Sequence, residues 1–192
     1  MKIFKYIVVI AGVSVGTSAN AEVFDANISG DSVRIAVNGP LSRLLSNTKG
    51  EYEFGGIIGE DDLENDFASG HVGLMLTGDA GARDAQVTAG LGARLQYLDV
   101  ESDNGGAVEL GGKVEVRVPG YDRFGFSAYA WFGPEAASFG DVDDVFEYAA
   151  AIDYQILKDA AIYVGYRKIE ADFGRQVDVE EDGVHGGIRL NF

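Results

Sequence analysis

The chain of 192 residues contains no cysteine. Disulfide staples and thiolate metal sites are therefore excluded. Only three prolines occur, Pro40, Pro119 and Pro134, and each falls between periodic segments. That placement suits strands, which need their backbone donors. Two histidines, His71 and His185, leave little scope for a histidine-dependent catalytic cluster. Positive charge is scarce: 15 Lys and Arg stand against 31 Asp and Glu, a formal net charge of −16. Such a chain is repelled by nucleic acid and by anionic bilayer surfaces. No stretch beyond the N-terminal segment reaches the roughly 18 consecutive apolar residues that mark a membrane-spanning helix. The chain is nevertheless 46% hydrophobic, with 27 Gly, 9 Tyr and 11 Phe.

The N-terminal segment reads as an export signal. Lys2 and Lys5 form a basic n-region, residues 7–15 a short apolar run, and Ala19 and Ala21 the small-x-small spacing of a cleavage site. Residues 1–21 are expected to be removed after export through the Sec pathway. Residues 22–192 are expected to form one domain. The expected mature chain keeps 13 basic and 31 acidic residues, a formal charge of −18.

Period-two alternation fills that domain. In "VELGGKVEVRV", Val108, Leu110, Gly112, Val114, Val116 and Val118 share one face, while Glu109, Gly111, Lys113, Glu115 and Arg117 share the other. "FEYAAAIDYQI", "RFGFSAYAWF", "QVTAGLGARLQYL" and "AAIYVGYRK" repeat the pattern. "SVRIAVN", "EYEFGGIIG", "GHVGLMLT" and "VHGGIRLNF" add further strands, and "VFDANI" supplies the tenth needed for an even number. The strands are expected to run about nine to twelve residues, the length of a tilted membrane strand. Eight strands, with residues 22–38 partly an N-terminal arm, is the alternative.

Connections alternate between short turns ("DAGAR", "PGYD", "LKD") and longer acidic stretches at 59–70, 99–106, 133–144 and 171–183. Short turns at one end and long loops at the other are the layout of an outer-membrane barrel. The connection "NGPLSRLLSNTKG" breaks that layout, since parity places it among the short turns.

A soluble sandwich also alternates, but its outer faces carry mainly polar residues. Here one face is apolar and aromatic-tipped, with Phe124, Phe126, Tyr148, Tyr154, Tyr166, Tyr97 and Phe192 placed for interfacial girdles. The other face mixes charge with glycine. The expected lumen network comprises Arg94, Glu109, Lys113, Glu115, Arg117, Glu147, Asp153, Arg167 and Arg189, with Arg34, Asp25, Glu51 and Glu53 on the same face. The expectation is an all-β, closed, antiparallel up-and-down transmembrane barrel of about ten strands with a polar, charged lumen. About ten strands leave little bore, so those charges are expected to pair and plug it.

The stretches "FGFSAYAWFGPEAASFG", "YAAAIDYQILKDAAIYVGYRKIEADFG" and "VHGGIRLNF" resemble the YfaZ family of small outer-membrane proteins of Gram-negative bacteria. The resemblance implies an outer-membrane barrel and little about activity. The ending is also similar to the signal read by the barrel assembly machinery, carried here by His185, Gly187, Leu190 and Phe192. Such a strand can be captured at its edge by backbone hydrogen bonding.

The search for other chemistry yields little. Thr77 shares a face with His71 but lies six residues away, out of bonding reach along one strand. "DVESDNGG" has acidic residues at positions one, three and five of a calcium loop, but Leu110 occupies the twelfth. No catalysis, metal or other cofactor is expected. The expected role is structural, or a narrow or plugged pore, with a small ion-conducting channel or a cell-surface adhesin as alternatives. The expected partners are outer-membrane lipid, lipopolysaccharide and the assembly machinery, with the barrel monomeric in the cell outer membrane.

Overall fold

The computed structural model describes residues 22–60, 66–81, 85–100, 103–174 and 178–192, without the side chains of 178–180. Ala19 and Ala21, and the acidic residues Asp61, Asp62, Glu64 and Glu101, lie outside these segments.

Eleven strands follow in chain order: β1 (Val23–Ile28), β2 (Ser32–Pro40), β3 (Glu51–Glu60), β4 (Asp66–Asp79), β5 (Gln86–Val100), β6 (Asp103–Arg117), β7 (Phe124–Gly133), β8 (Ser138–Gly140), β9 (Asp144–Leu157), β10 (Ala160–Asp172) and β11 (Asp178–Asn191). All pair antiparallel. The sheet closes on itself because β1 pairs with β11 as well as β2, and β5 pairs with β6 as well as β4. Ten strands make the wall, and "VFDANI" is a full member of it. Glu22 and Phe192 finish the β1–β11 seam, each backbone amide donating to the other's carbonyl at 2.8 and 2.9 Å. Closure leaves the wall without an edge at this seam, as a sheet in hydrocarbon requires.

The strand lengths depart from expectation. Strands β4, β5, β6, β9 and β11 reach 14 or 15 residues. The stretches 59–70, 99–106 and 171–183, expected as long loops, are mostly strand at the end remote from the termini. Acidic composition misled there, because an acidic residue on the solvent-facing side of a strand is as well hydrated as one in a loop. The stretch 133–144 also contains structure: a 3-10 turn at Glu135–Ala137 and then β8. Strand β8 pairs Ser138, Phe139 and Gly140 with Ala107, Gly106 and Gly105 of β6. It thus extends the lane of β7, which pairs with β6 from Leu110 to Arg117.

The two faces separate as the alternation requires. On β5, Arg94, Gln96, Leu98 and Val100 are buried inside, while Leu91, Leu95, Tyr97 and Asp99 face out. Outward aromatics stack at two levels. Phe124 and Tyr154 meet at 4.9 Å near the termini. Phe132, Phe146, Tyr148 and Tyr166 form a continuous row near the other end, with ring centroids 5.6–6.4 Å apart.

Candidate functional site

Among the described residues, the buried charged groups gather in the lumen, which has three layers. The middle layer is a belt of buried charge. Arg94 pairs through Nε with Glu109 and through Nη2 with Glu147, and donates to Gln96 Oε1 at 2.7 Å. Gln96 in turn donates to Ser69 at 2.9 Å. The Tyr129 hydroxyl donates to Glu147 at 2.6 Å. The Arg94 guanidinium lies 4.9 Å from the Trp131 ring centroid, a cation–π contact. Arg94 is 2% exposed and Glu109 is fully buried. One charge alone there would be costly, and each is held by its partners.

Beside the belt, Arg34 donates to Glu53 at 3.0 Å and His71 Nε2 lies 2.7 Å from the same carboxylate oxygen. Across the lumen, Arg167 reaches Glu181 at 3.2 Å, Asn27 at 2.9 Å and Ser32 at 3.0 Å. These bonds tie the short β1–β2 hairpin to β10 and β11.

The layer toward the termini is more exposed than the belt. Lys113 pairs with Glu51 and, at 3.3 Å, with Glu115. Arg117 meets Asp153 at 2.8 Å. Arg189 meets Asp25 at 3.2 Å and lies 3.9 Å from Asp153. The Tyr163 hydroxyl donates to Asp25 at 2.5 Å. These groups, Asp153 excepted, line a cavity of about 430 Å³ that also reaches Val23, Pro40, Gln155 and Asn191, near the rim that carries both termini.

The third layer, toward the other end, is apolar. Ile57, Phe67, Leu98, Val100, Ala107, Val142, Val145, Ile169, Ala171 and Phe173 form one buried cluster. Its construction is systematic. One inward step beyond the polar layers, Ser69 gives way to Phe67, Gln96 to Leu98, Glu109 to Ala107, Glu147 to Val145 and Arg167 to Ile169. Outside, the reverse exchange occurs at the same level: Tyr97 is followed by Asp99, and Tyr166 by Lys168 and Glu170. The period-two pattern continues while its sign inverts. Above that height the outside is polar and the inside apolar, the arrangement of a sheet whose outer face meets water.

Every charge expected in the lumen lies on the inner face, but not as one network. Arg94, Glu109 and Glu147 meet in the belt, Lys113 and Glu115 pair lower down, Arg117 and Arg189 share Asp153, and Arg167 stands with Glu181. Glu181 escaped the sequence reading because it was placed in a loop. The roles of Tyr129, Tyr163 and Trp131 also escaped it, since their alternation places them inside but not against a named carboxylate. His185 and Gly187 face the lumen, and Leu190 and Phe192 face out. The Tyr163 ring covers Gly187, where a Cβ would sit 2.5 Å from the ring and 2.7 Å from the Ala26 carbonyl. His185 lies edge-on to the same ring, 5.8 Å between centroids. Among the described residues, no cluster of three or more His, Asp or Glu could hold a metal ion.

Solved structures that resemble this one include the following two. The outer-membrane expressed OmpT of Vibrio cholerae is 14% identical, with a TM-score of 0.37 over 84% of this chain and 56% of its own. The present chain therefore spans about half the length of that protein. The KdgM porin is 10% identical, with a TM-score of 0.38 over 90% of this chain and 99% of its own. No curated protein matches the sequence. The family model described as "YfaZ precursor" matches residues 1–192, and the chain belongs to that family.

Proposed function

We propose that this protein is an integral outer-membrane barrel whose lumen is blind, a structural wall element and not a through-channel. The observation that carries the reading is the order of layers along the axis: open charged cavity, buried ion-pair belt, apolar plug. A hydrated ion crossing the barrel would have to strip its water in the belt and then traverse a region without polar partners, which is strongly unfavourable. No catalytic step is assigned. His71 is engaged with Glu53, and His185 faces an aromatic ring.

The proposal places residues 1–21 as the export signal and 22–192 as a monomeric barrel in the cell outer membrane, with its apolar face in lipid and its acidic rim toward lipopolysaccharide. It assigns His185, Gly187, Leu190 and Phe192 to recognition by the assembly machinery. The glycine has a further structural part in this reading, since Tyr163 can cover only a strand without a side chain at 187.

Planar-bilayer recording of the purified, refolded protein tests the blind lumen. The expected result is a silent membrane. Conductance steps of roughly a few hundred picosiemens or more, the scale of an open water-filled bore, would refute it.

A further inference from the structure

The connection between β2 and β3, residues 41–50, is too long for a turn at its end of the barrel, and its geometry gives it a task. It is folded, not slack. Leu41 donates to the Gly50 carbonyl at 2.8 Å, continuing the β2–β3 ladder by one pair. Leu44 and Leu45 both donate to the Leu41 carbonyl at 2.9 Å, and Thr48 donates to Leu45 at 3.2 Å. Asn47 takes the left-handed conformation, φ 64°, that closes the turn.

The connection lies against the outside of the wall, not across the lumen. Glu51 and Glu53 of β3 line the cavity and Tyr52 between them does not, so the Tyr52 side chain faces out. Tyr52, paired with Gly39, packs over it, 2.4 Å from where a Cβ would stand. The Tyr52 hydroxyl donates to Glu22 at 2.9 Å, and Arg43 pairs with the same carboxylate. Arg43 is thereby held on the outer side at the base. Leu41 is buried there, while Leu44 and Leu45 are 64% and 54% exposed.

The height is that of the bilayer interface. Glu22 is joined by backbone hydrogen bonds to Phe192, an exposed outward aromatic at the rim. Leu41 follows Pro40, the last residue of β2, and opens the 3-10 turn that carries the chain below the rim. Two exposed leucines beside an arginine, with Lys49 a few residues on, therefore continue the apolar band downward into the headgroup region.

We propose that residues 41–49 form an interfacial foot, with Leu44 and Leu45 inserted about 5–10 Å into the headgroup–acyl boundary and Arg43 and Lys49 near phospholipid phosphates. The occupant of this surface is phospholipid of the leaflet on the termini side. The inference rests on the membrane-embedded reading of the wall, and the test separates the two.

The absence of cysteine makes the test direct. Leu44→Cys, Leu45→Cys, Leu91→Cys and Asp159→Cys are each labelled with an environment-sensitive fluorophore and reconstituted into vesicles of phosphatidylcholine with some phosphatidylglycerol. Faster migration of the unboiled protein on SDS gels confirms folding in each case. Nitroxide lipids carry the quencher either near the headgroup or deep in the chain. The labels at 44 and 45 are expected to be quenched roughly twofold more by the shallow nitroxide than by the deep one, as befits an interfacial depth. The label at 91 is expected to show the reverse, and the label at 159, on a polar turn at the same end, to respond mainly to aqueous iodide. If 91 is quenched by lipid while 44 and 45 behave like 159, the foot is refuted and the barrel stands. If 44 and 45 resist both lipid and aqueous quenchers, protein covers the leucines and the lipid assignment is wrong. If 91 itself ignores the lipid quenchers, the membrane reading falls.

Discussion

Replacing Leu91 with arginine tests the lipid-facing wall where it is most sensitive. On β5 the outward residues Val87, Ala89, Leu91, Ala93, Leu95 and Tyr97 form the apolar run, and Asp99 ends it. Ten residue steps at about 3.4 Å cover roughly 34 Å along the strand, or roughly 26 Å along the bilayer normal at a tilt of about 40°. That is the height of the hydrocarbon band, and Leu91 lies within about 3 Å of its midplane on the same geometry. Leu91 is 76% exposed, so an arginine there has lipid as its surroundings and no protein pocket to enter. The expected loss is about 2–4 kcal/mol, the cost of a basic side chain at mid-bilayer. Asp99→Arg supplies the control on the same strand and face, above the inversion, with an expected change within about 0.5 kcal/mol. Urea titration of both variants in phospholipid vesicles measures the difference. The fluorescence of the single tryptophan, Trp131 beneath Arg94, reports unfolding of the lumen. Equal losses for the two variants would refute the placement of the bilayer at this height. A loss at Leu91 below about 0.5 kcal/mol, the scale of an ordinary surface change, would refute the lipid-facing assignment altogether.

Arg94→Met leaves Glu109 and Glu147 without their cation and is expected to cost about 3–5 kcal/mol, while adding Glu109→Gln and Glu147→Gln recovers most of the loss in the same titration. Gly187→Ala places a methyl against Tyr163 and the Ala26 carbonyl, with an expected loss of about 1–3 kcal/mol from overpacking. The double variant with Tyr163→Ala is less damaged than the sum of its parts, which a double-mutant cycle reads. Phe173→Ala opens a cavity in the apolar plug and is expected to cost about 3–5 kcal/mol by urea titration, yet its bilayer recordings stay silent because the ion-pair belt beneath is intact.

Much of the wall was legible before folding, for a simple reason. Strand side chains alternate with a period of two, and lipid outside with a narrow lumen inside demands opposite chemistry on the two faces. Residues such as Glu109, Lys113, Arg117 and Asp153 could therefore be placed inside from their neighbours alone. The tenth strand followed from the even number that closure favours, and β1 takes that place between β2 and β11.

What escaped the sequence depends on contacts between strands far apart in the chain. Alternation assigns a face but no partner across the barrel, so it could not reveal that Arg94 of β5 meets Glu147 of β9, or that Arg167 of β10 holds the turn beside Ser32. Nor could acidity distinguish loop from projecting strand, since both face water at that height. Leu98, Val100, Ile169 and Phe173 scatter over two strands and a loop, and only closure brings them together as a plug. The amino-acid order determined which way each side chain points, because that is a local property of an extended backbone. The closed sheet alone decided what each inward side chain meets, because the strands facing one another across the lumen are set by how the whole wall curves.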